Sequence, residues 1–498
     1  MKKLREKLGE VYDLRNAVAL LWWDQATYMP PEGAAARGRQ LSTLQRLAHE
    51  KFTDPTVGDL LENLRTYEGE LPYDSDESAL IRVTRREYER EIRKPSGFVA
   101  EFSAHASESH NAWSRARPEN DFAAMRPYLE KTLDLSRQLA GFFPGYDHIA
   151  DPLIAESDYG MTAASVKTVF SELREHLVPL VQQITEQPPV DDSCLRQPFG
   201  VAEQLDFSKE VIQRFGYDFQ RGRQDLTAHP FMTKFSWGDV RITTRVKEDD
   251  LRDPLFSTLH EAGHGLYEQG IVRELEGTPL GQGTSEGLHE SQSRLWENLV
   301  GRSRPMWRFF YPRLQNIFPD QLGSVPLEEF YRAINKVERS LIRTDADEAT
   351  YDLHVIMRFD FELDLLEGKL EVRDLPDAWR ERMESDLGVV PPDDRDGVLQ
   401  DIHWYDGTVG GMFQGYTLGN IMGAQFHGAA LREHPSIPEE IGAGEFGTLL
   451  AWLRENIYRH GAKYTTNEVL ERATGSTLSV EPYVEYLRSK FGEIYIPS

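Results

Sequence analysis

Two spacings of apolar residues divide the chain. Through most of its length they recur every three or four positions, the period of an amphipathic helix. Val18, Leu20, Leu21, Trp22 and Trp23 make an apolar cluster in a first helical run, which Met29-Pro30-Pro31 breaks. A second helix opens near Gly33 and carries Leu41, Leu44 and Leu47 at three-residue intervals. Residues 55 to 185 continue as long, charge-rich helical segments, among them Leu80 to Tyr88 and Val166 to Ile184, with punctuation such as Phe143-Pro144-Gly145. Their mixed charge is that of solvated helix faces. Helical spacing returns at the end, through Leu449, Leu450, Trp452 and Leu453, then Val484, Tyr486, Leu487 and Phe491.

The spacing changes once. From Phe235 to Val246 the residues alternate, with Val240, Ile242, Thr244 and Val246 on one face and Asp239, Arg241, Thr243 and Arg245 on the other. A period of two predicts a strand. It reads either as an edge strand with one wet face or as a strand lining a cleft, presenting Arg241 and Thr243.

A helix is predicted directly afterwards, from an Asp253-Pro254 start towards Gly270, with Asp253 as its N-cap. It contains His260-Glu261-Ala262-Gly263-His264. Residues four apart on a helix share a face, so both imidazoles can hold one zinc ion, and Glu261 can act as general base on a water there. The plain alternative is a buried helix with two satisfied histidines. A catalytic zinc takes three protein ligands and one open position, so a third ligand is needed. After the loop Gly277 to Gly283, Ser285 opens a helix carrying Leu288, Leu295, Trp296 and Leu299 on one side. His289 and Glu290 are about 100° apart on it, so one of them faces the metal. Glu290 is the choice, because it completes the His₂Glu donor set of catalytic zinc sites. The competing reading pairs Glu290 with Arg294 at i+4.

A further helix is predicted from Leu341 to His354, where Arg343, Asp347, Thr350 and His354 would form a polar stripe. Arg343 is a forked cation suited to gripping a carboxylate. Residues 391 to 411 are rich in turn formers and hold Gln400-Asp401-Ile402-His403-Trp404.

Composition narrows the picture. The net charge of −26 argues against nucleic acid and anionic membrane as partners. No run of 18 apolar residues is present to span a membrane, and the charged start Met1-Lys2-Lys3-Leu4-Arg5 is not a secretory leader. The single cysteine, Cys194, excludes an internal disulfide, makes a cytosolic setting the default, and reads as a bystander after the polar stretch Pro188 to Ser193.

Taken together, the motifs resemble the Taq-type (thermostable) metallocarboxypeptidases, a family of HExxH zinc enzymes. The matches are Trp23-Asp24-Gln25 with Met29-Pro30, His229-Pro230-Phe231, Asp239-Val240-Arg241-Ile242-Thr243, the HExxH stretch, His289-Glu290-Ser291-Gln292-Ser293-Arg294, Ile342-Arg343-Thr344-Asp345-Ala346-Asp347-Glu348 and Gly397 to Trp404. The resemblance implies a mainly α fold: one large helical catalytic domain over 1–498, with a deep groove and a small β-sheet beside the HExxH helix. Gln187 to Ser193 would separate an N-terminal helical half, 1–186, from a half carrying the metal site, 194–498. It further implies a cytoplasmic homodimer that trims C-terminal residues from peptides with free C-termini, broadly and with little taste for proline. Zinc is the implied metal, with cobalt able to substitute. Carried over, His260, His264 and Glu290 are the ligands, Glu261 the base and Arg343 the anchor of the substrate carboxylate. Tyr416 assists at the oxyanion, while His403, His229 and Arg241 line the cleft. One departure is Phe413-Gln414-Gly415-Tyr416, where many members have Phe-Pro-Thr-Tyr; losing proline and gaining glycine should loosen that stretch. Rival readings are a zinc endo-oligopeptidase, an aminopeptidase, or a non-catalytic helical peptide-binding scaffold with a structural zinc.

Overall fold

A computed structural model describes residues 1–496. Helices carry most of the chain, with one three-stranded sheet. Among the described residues no helix is long and apolar enough to cross a membrane. The chain forms two compact units, each assembled from three stretches. The first takes Met1–Ile92, Asp192–Ile334 and Phe426–Thr477; the second takes Arg93–Asp191, Asn335–Gln425 and the chain from Leu478.

In the first unit, helix α1 (Lys2–Thr27) and helix α2 (Ala34–Phe52) are separated where Met29-Pro30-Pro31 stands. Pro30 is extended, and a 3₁₀ turn over Pro31–Gly33 reorients the chain. Of the early apolar cluster, Trp23 is buried, whereas Leu20 and Trp22 remain exposed. Leu4, Leu8, Val11, Phe52, Leu80, Ile81 and Leu275 close a core around these helices.

The alternating stretch becomes parts of two strands. Strand β1 (Gln224–Leu226), strand β2 (Met232–Ser236) and strand β3 (Asp239–Thr244) lie in the order β1-β3-β2. β1 runs parallel to β3, and β2 antiparallel, with a register shift between Lys234 and Ser236. β3 is therefore central, which overturns the edge-strand reading. Val240, Ile242 and Thr244 are buried as the alternation predicts. Thr243 is buried too, because its hydroxyl accepts from Phe231 N (2.8 Å) and lies 3.0 Å from Phe231 O.

The HExxH helix, α3, spans Arg252–Gly270. It starts one residue before Asp253, which is not its cap. Asp250 Oδ1 accepts from Arg252 N at 3.0 Å, and the Asp253 carboxylate is taken by Arg245 Nε and Nη2 (2.9 and 2.5 Å). α3 is seated on β3: Thr258 Oγ1 lies 3.1 Å from Thr244 Oγ1. A Cβ on Gly265 would meet the Tyr217 ring at 2.8 Å. Helix α4 (Glu286–Arg294) opens at Ser285, whose Oγ accepts from Leu288 N as expected. It continues without a break into a π-helical turn over Leu295–Val300.

In the second unit the helix predicted over 341–354 is not continuous. Arg343–Asp345 is a 3₁₀ turn, and helix α5 begins only at Tyr351 and runs to Glu367. The reason is Asp347, whose carboxylate accepts from Ala349 N (2.9 Å), Thr350 N (3.2 Å) and Thr350 Oγ1 (3.0 Å) and offers the backbone an alternative to helix. The stripe from Arg343 to His354 is thereby dissolved. Helix α6 (Gln414–Glu433) includes the altered stretch before Tyr416. Loosening is not what is found there: the Gln414 side chain is buried and donates to Ser157 Oγ (2.8 Å), Asp158 Oδ2 (3.0 Å) and Gly411 O (3.2 Å).

Candidate metal centre

Helix α3 puts His260 and His264 one turn apart, ring centroids 4.9 Å from each other. The third donor depends on how closely α4 can approach. Gly263 makes that approach possible, since a Cβ there would lie 2.6 Å from both Gln292 O and Ser293 Cα. With the helices this close, Glu290 Oε2 lies 3.5 Å from His260 Nε2 and 3.4 Å from His264 Nε2. One donor atom from each of the three residues falls within 4.8 Å of the others. Glu290 also makes the competing i+4 contact, using its other oxygen: Oε1 accepts from Arg294 Nε at 2.7 Å. The i+4 contact is thus made, and it leaves Oε2 turned to the two histidines.

The outer nitrogens of the histidines are held differently. His260 Nδ1 meets Glu297 Oε2 at 2.9 Å, and Glu297 is itself bound by Arg294 (3.1 Å) and Arg302 (3.6 Å). His264 Nδ1 meets His289 Nδ1 at 2.5 Å; His289 Nε2 reaches Glu268 Oε1 at 3.0 Å, and Lys234 Nζ donates to Glu268 Oε2 at 2.8 Å.

The electrostatics suit a cation. Burial opposes the charge on Glu290, yet Arg294, His260 and His264 hold its pKa well below the carboxylate range. Glu297 and Glu268 overcome burial in the same way, through Arg294 and His260 and through Lys234 and His289, and fall to about 2. Burial takes His264 down to about 3, keeping it neutral, the form that binds metal. Burial also works against a charge on His260, but Glu290 and Glu297 outweigh it and raise the pKa to about 9. Positive charge is favoured where the three donors meet. Two imidazole nitrogens and one carboxylate oxygen are a donor set for a divalent ion with a position left for water or substrate. Glu261 is buried beside them, and burial lifts its carboxyl to about 7.

The remaining expected residues fall in both units. In the first unit Arg241 is gripped by Asp239 (2.8 Å on each arm) and stacked 4.4 Å from the Trp23 ring and 4.9 Å from that of Phe235. His229 is exposed in a bend before β2. In the second unit Asp401 gathers three partners: Arg343 Nε at 2.6 Å, Arg358 Nε at 3.2 Å, and His403 Nδ1. His403 Nε2 then lies 3.1 Å from the Tyr416 hydroxyl. Arg343 also donates to Tyr351 OH (3.2 Å), and its guanidinium lies 5.2 Å from the Tyr416 ring.

The sequence profile of the carboxypeptidase Taq (M32) metallopeptidases matches residues 3–491. The chain belongs to this family. Thermostable carboxypeptidase 1 of Thermus thermophilus is 41% identical over 509 aligned residues, covering 99% of this chain and 98% of that protein. Carboxypeptidase 1 of Bacillus subtilis is 34% identical over 99% of this chain and 98% of its own. The crystal structure of the M32 carboxypeptidase from Deinococcus radiodurans R1 superposes with a TM-score of 0.96, at 51% identity and over 99% of both chains. The protein is thus an M32 metallocarboxypeptidase, mainly α-helical, and its family implies a divalent metal and peptide substrates.

Within this M32 chain, sequence reasoning left out Glu297, Glu268, Lys234 and the supporting place of His289. Some signal existed. Glu268 follows His264 at i+4 and Glu297 follows Glu290 at i+7, spacings that share a helix face. Lys234 gave none, because its approach depends on how β2 is seated.

Proposed function

We propose that the metal held by His260, His264 and Glu290 is zinc, with cobalt able to replace it, and that Glu261 is the general base of C-terminal peptide hydrolysis. The observation that carries the reading is the convergence of the three donors, with Glu261 one residue from the first of them on the same helix. When bound, zinc supplies Lewis acidity that polarises a carbonyl and lowers the pKa of water.

The chain's own groups do the rest. Glu261 accepts a proton from the attacking water and returns it to the leaving amine. Glu290 keeps one oxygen for the metal while Arg294 holds the other, which fixes the carboxylate's orientation. For Arg343 as anchor of the terminal carboxylate, Tyr416 and His403 as catalytic groups, with Tyr416 or a cleft histidine as donor to the oxyanion, and Arg241 and His229 as substrate contacts, the support is their place in the family's motifs. Asp401 favours the His403 tautomer that carries its proton on Nδ1, leaving Nε2 to accept from Tyr416. We assign the enzyme broad preference with little action on proline, a homodimeric state and a cytoplasmic setting, in keeping with that resemblance.

A peptide offered as free acid, as C-terminal amide and as N-acetylated form tests the reading by mass spectrometry, with and without chelator. The free acid and the acetylated form should shorten stepwise from the C-terminus, and only without chelator. Internal cuts would instead identify an endo-oligopeptidase, and loss of residues from the other end an aminopeptidase.

A further inference from the structure

The two histidine ligands are supported unequally, and the difference lies in which way hydrogen bonds can run. His260 Nδ1 faces a carboxylate, Glu297, that only accepts. His264 Nδ1 faces another imidazole. An imidazole ligating through Nε2 carries its proton on Nδ1. His289 Nδ1 must then accept, which leaves the His289 proton on Nε2, directed at Glu268 Oε1. Glu268 is held ionised by Lys234 and receives Gly283 N on the same oxygen at 2.8 Å. Every link has one donor and one acceptor, and only this direction leaves His264 Nε2 with a lone pair for a metal.

The His289 ring has little freedom to turn over. Tyr267 lies against it at 5.1 Å. A Cβ at Gly283 would stand 2.6 Å from His289 Cδ2 and 3.0 Å from Tyr267 Cε1, so glycine is what lets this loop approach both the ring and Glu268.

We propose that His289 is a positioning residue for the metal, setting the Nε2-ligating tautomer of His264 through a chain that donates from His264 to His289 and from His289 to Glu268, the acceptor that Lys234 holds from its other oxygen. The inference rests on the reading of His260, His264 and Glu290 as ligands. It separates two neighbours in the sequence: Glu290 as donor to the metal, His289 as the group that orients another donor.

The experiment compares His289→Phe, which keeps a ring but has no acceptor, with His289→Asn, whose carbonyl oxygen can stand where Nδ1 stands. Metal is removed with chelator, and Zn²⁺ alone is titrated back against a chromogenic chelator. His289→Phe should weaken Zn²⁺ affinity by about 10- to 100-fold. His289→Asn should recover most of that loss, and the visible spectrum of the Co²⁺-loaded protein should change in Phe and return towards wild type in Asn. A folded His289→Phe protein with wild-type affinity and spectrum overturns the proposal. His264→Ala is the control: if it too keeps wild-type affinity, the ligand assignment is what has failed. Should His289→Phe not fold, nitrogen-15 histidine spectra of the Zn²⁺-loaded wild type decide. A protonated Nδ1 on His264 with a bare Nδ1 on His289 supports the chain, and a bare Nδ1 on His264 overturns it.

Discussion

Gly263 and Gln292 face each other across the α3–α4 contact at a distance no side chain would permit: a Cβ on the glycine would lie 2.6 Å from the glutamine's carbonyl oxygen. The obstacle is backbone, so α4 itself would have to move. Gly263→Ala should destabilise the protein by about 1–3 kcal/mol, as overpacking does. It should weaken metal binding as well, because Glu290 rides on the helix that is displaced. Thermal melts and Zn²⁺ titrations of the variant check both effects. A well-folded variant with unchanged metal affinity would show that the close approach is not what delivers the third donor.

Removing the charge of Glu261 separates binding from chemistry. Glu261→Gln should retain the metal, since His260, His264 and Glu290 are untouched, while kcat falls by about 10²- to 10⁴-fold. Metal content and turnover measured on the same preparation make the comparison. Retained turnover would reject Glu261 as the base.

Arg343→Lys keeps a positive charge for Asp401 but gives up the planar fork. If Arg343 grips the substrate's terminal carboxylate, kcat/KM for free-acid peptides should drop by about 100-fold, or about 3 kcal/mol of transition-state binding. Steady-state kinetics with a chromogenic free-acid peptide measure it. An unchanged kcat/KM would free Arg343 of that role.

Glu362 makes a prediction about pH. It is fully buried, and burial, only partly offset by Trp404 Nε1 donating at 3.0 Å and by the backbone at Gly410 and Met412, pushes its carboxyl up to about 8. Below the unfolded value of 4.5 both states hold the proton, and the group contributes nothing to pH dependence. Between 4.5 and about 8 the folded protein keeps a proton that the unfolded chain has lost, so stability falls as pH rises. Above that window the whole cost is present, on the order of 3–5 kcal/mol. Glu362→Gln, which mimics the protonated acid, should therefore stabilise the protein at pH 8 far more than at pH 5. Urea melts at the two values test the sign.

Much of the metal centre could be read from the sequence because the groups concerned obey helix spacing. His260, Glu261 and His264 sit on one helix, and Glu290 comes one turn into the next, after a serine cap that behaves as its type predicts. Where expectation and structure part, a short polar side chain has taken over the backbone. Asp250 supplies the start of α3 that Asp253 was expected to supply, and Asp347 interrupts the helix that apolar and polar spacing alone would continue. β3 has the right residues on its buried face, but its central place depends on β1 and β2, whose pairing no local pattern records. Gln414 looked like the loss of a stiffening proline; its amide anchors the same stretch by hydrogen bonds to residues far away in the chain. Lys234 was invisible for the same reason.

The π-helical turn that follows α4 gives one turn of that helix a surplus residue. The segment beyond it is tethered back to α3 separately, with the Arg302 guanidinium 3.6 Å over the Phe256 ring and Gly301 set against Leu259. Glu290 takes its aim from the notch at Gly263, upstream of the surplus. The surplus is taken up within that one turn. Deleting a single residue at Leu299 or Val300 would rewind this turn into ordinary α-helix and leave Arg302 in its present phase, because the lost residue and the lost bulge cancel, while Glu290 stays where it is: a helix with one residue to spare beyond its candidate metal donor.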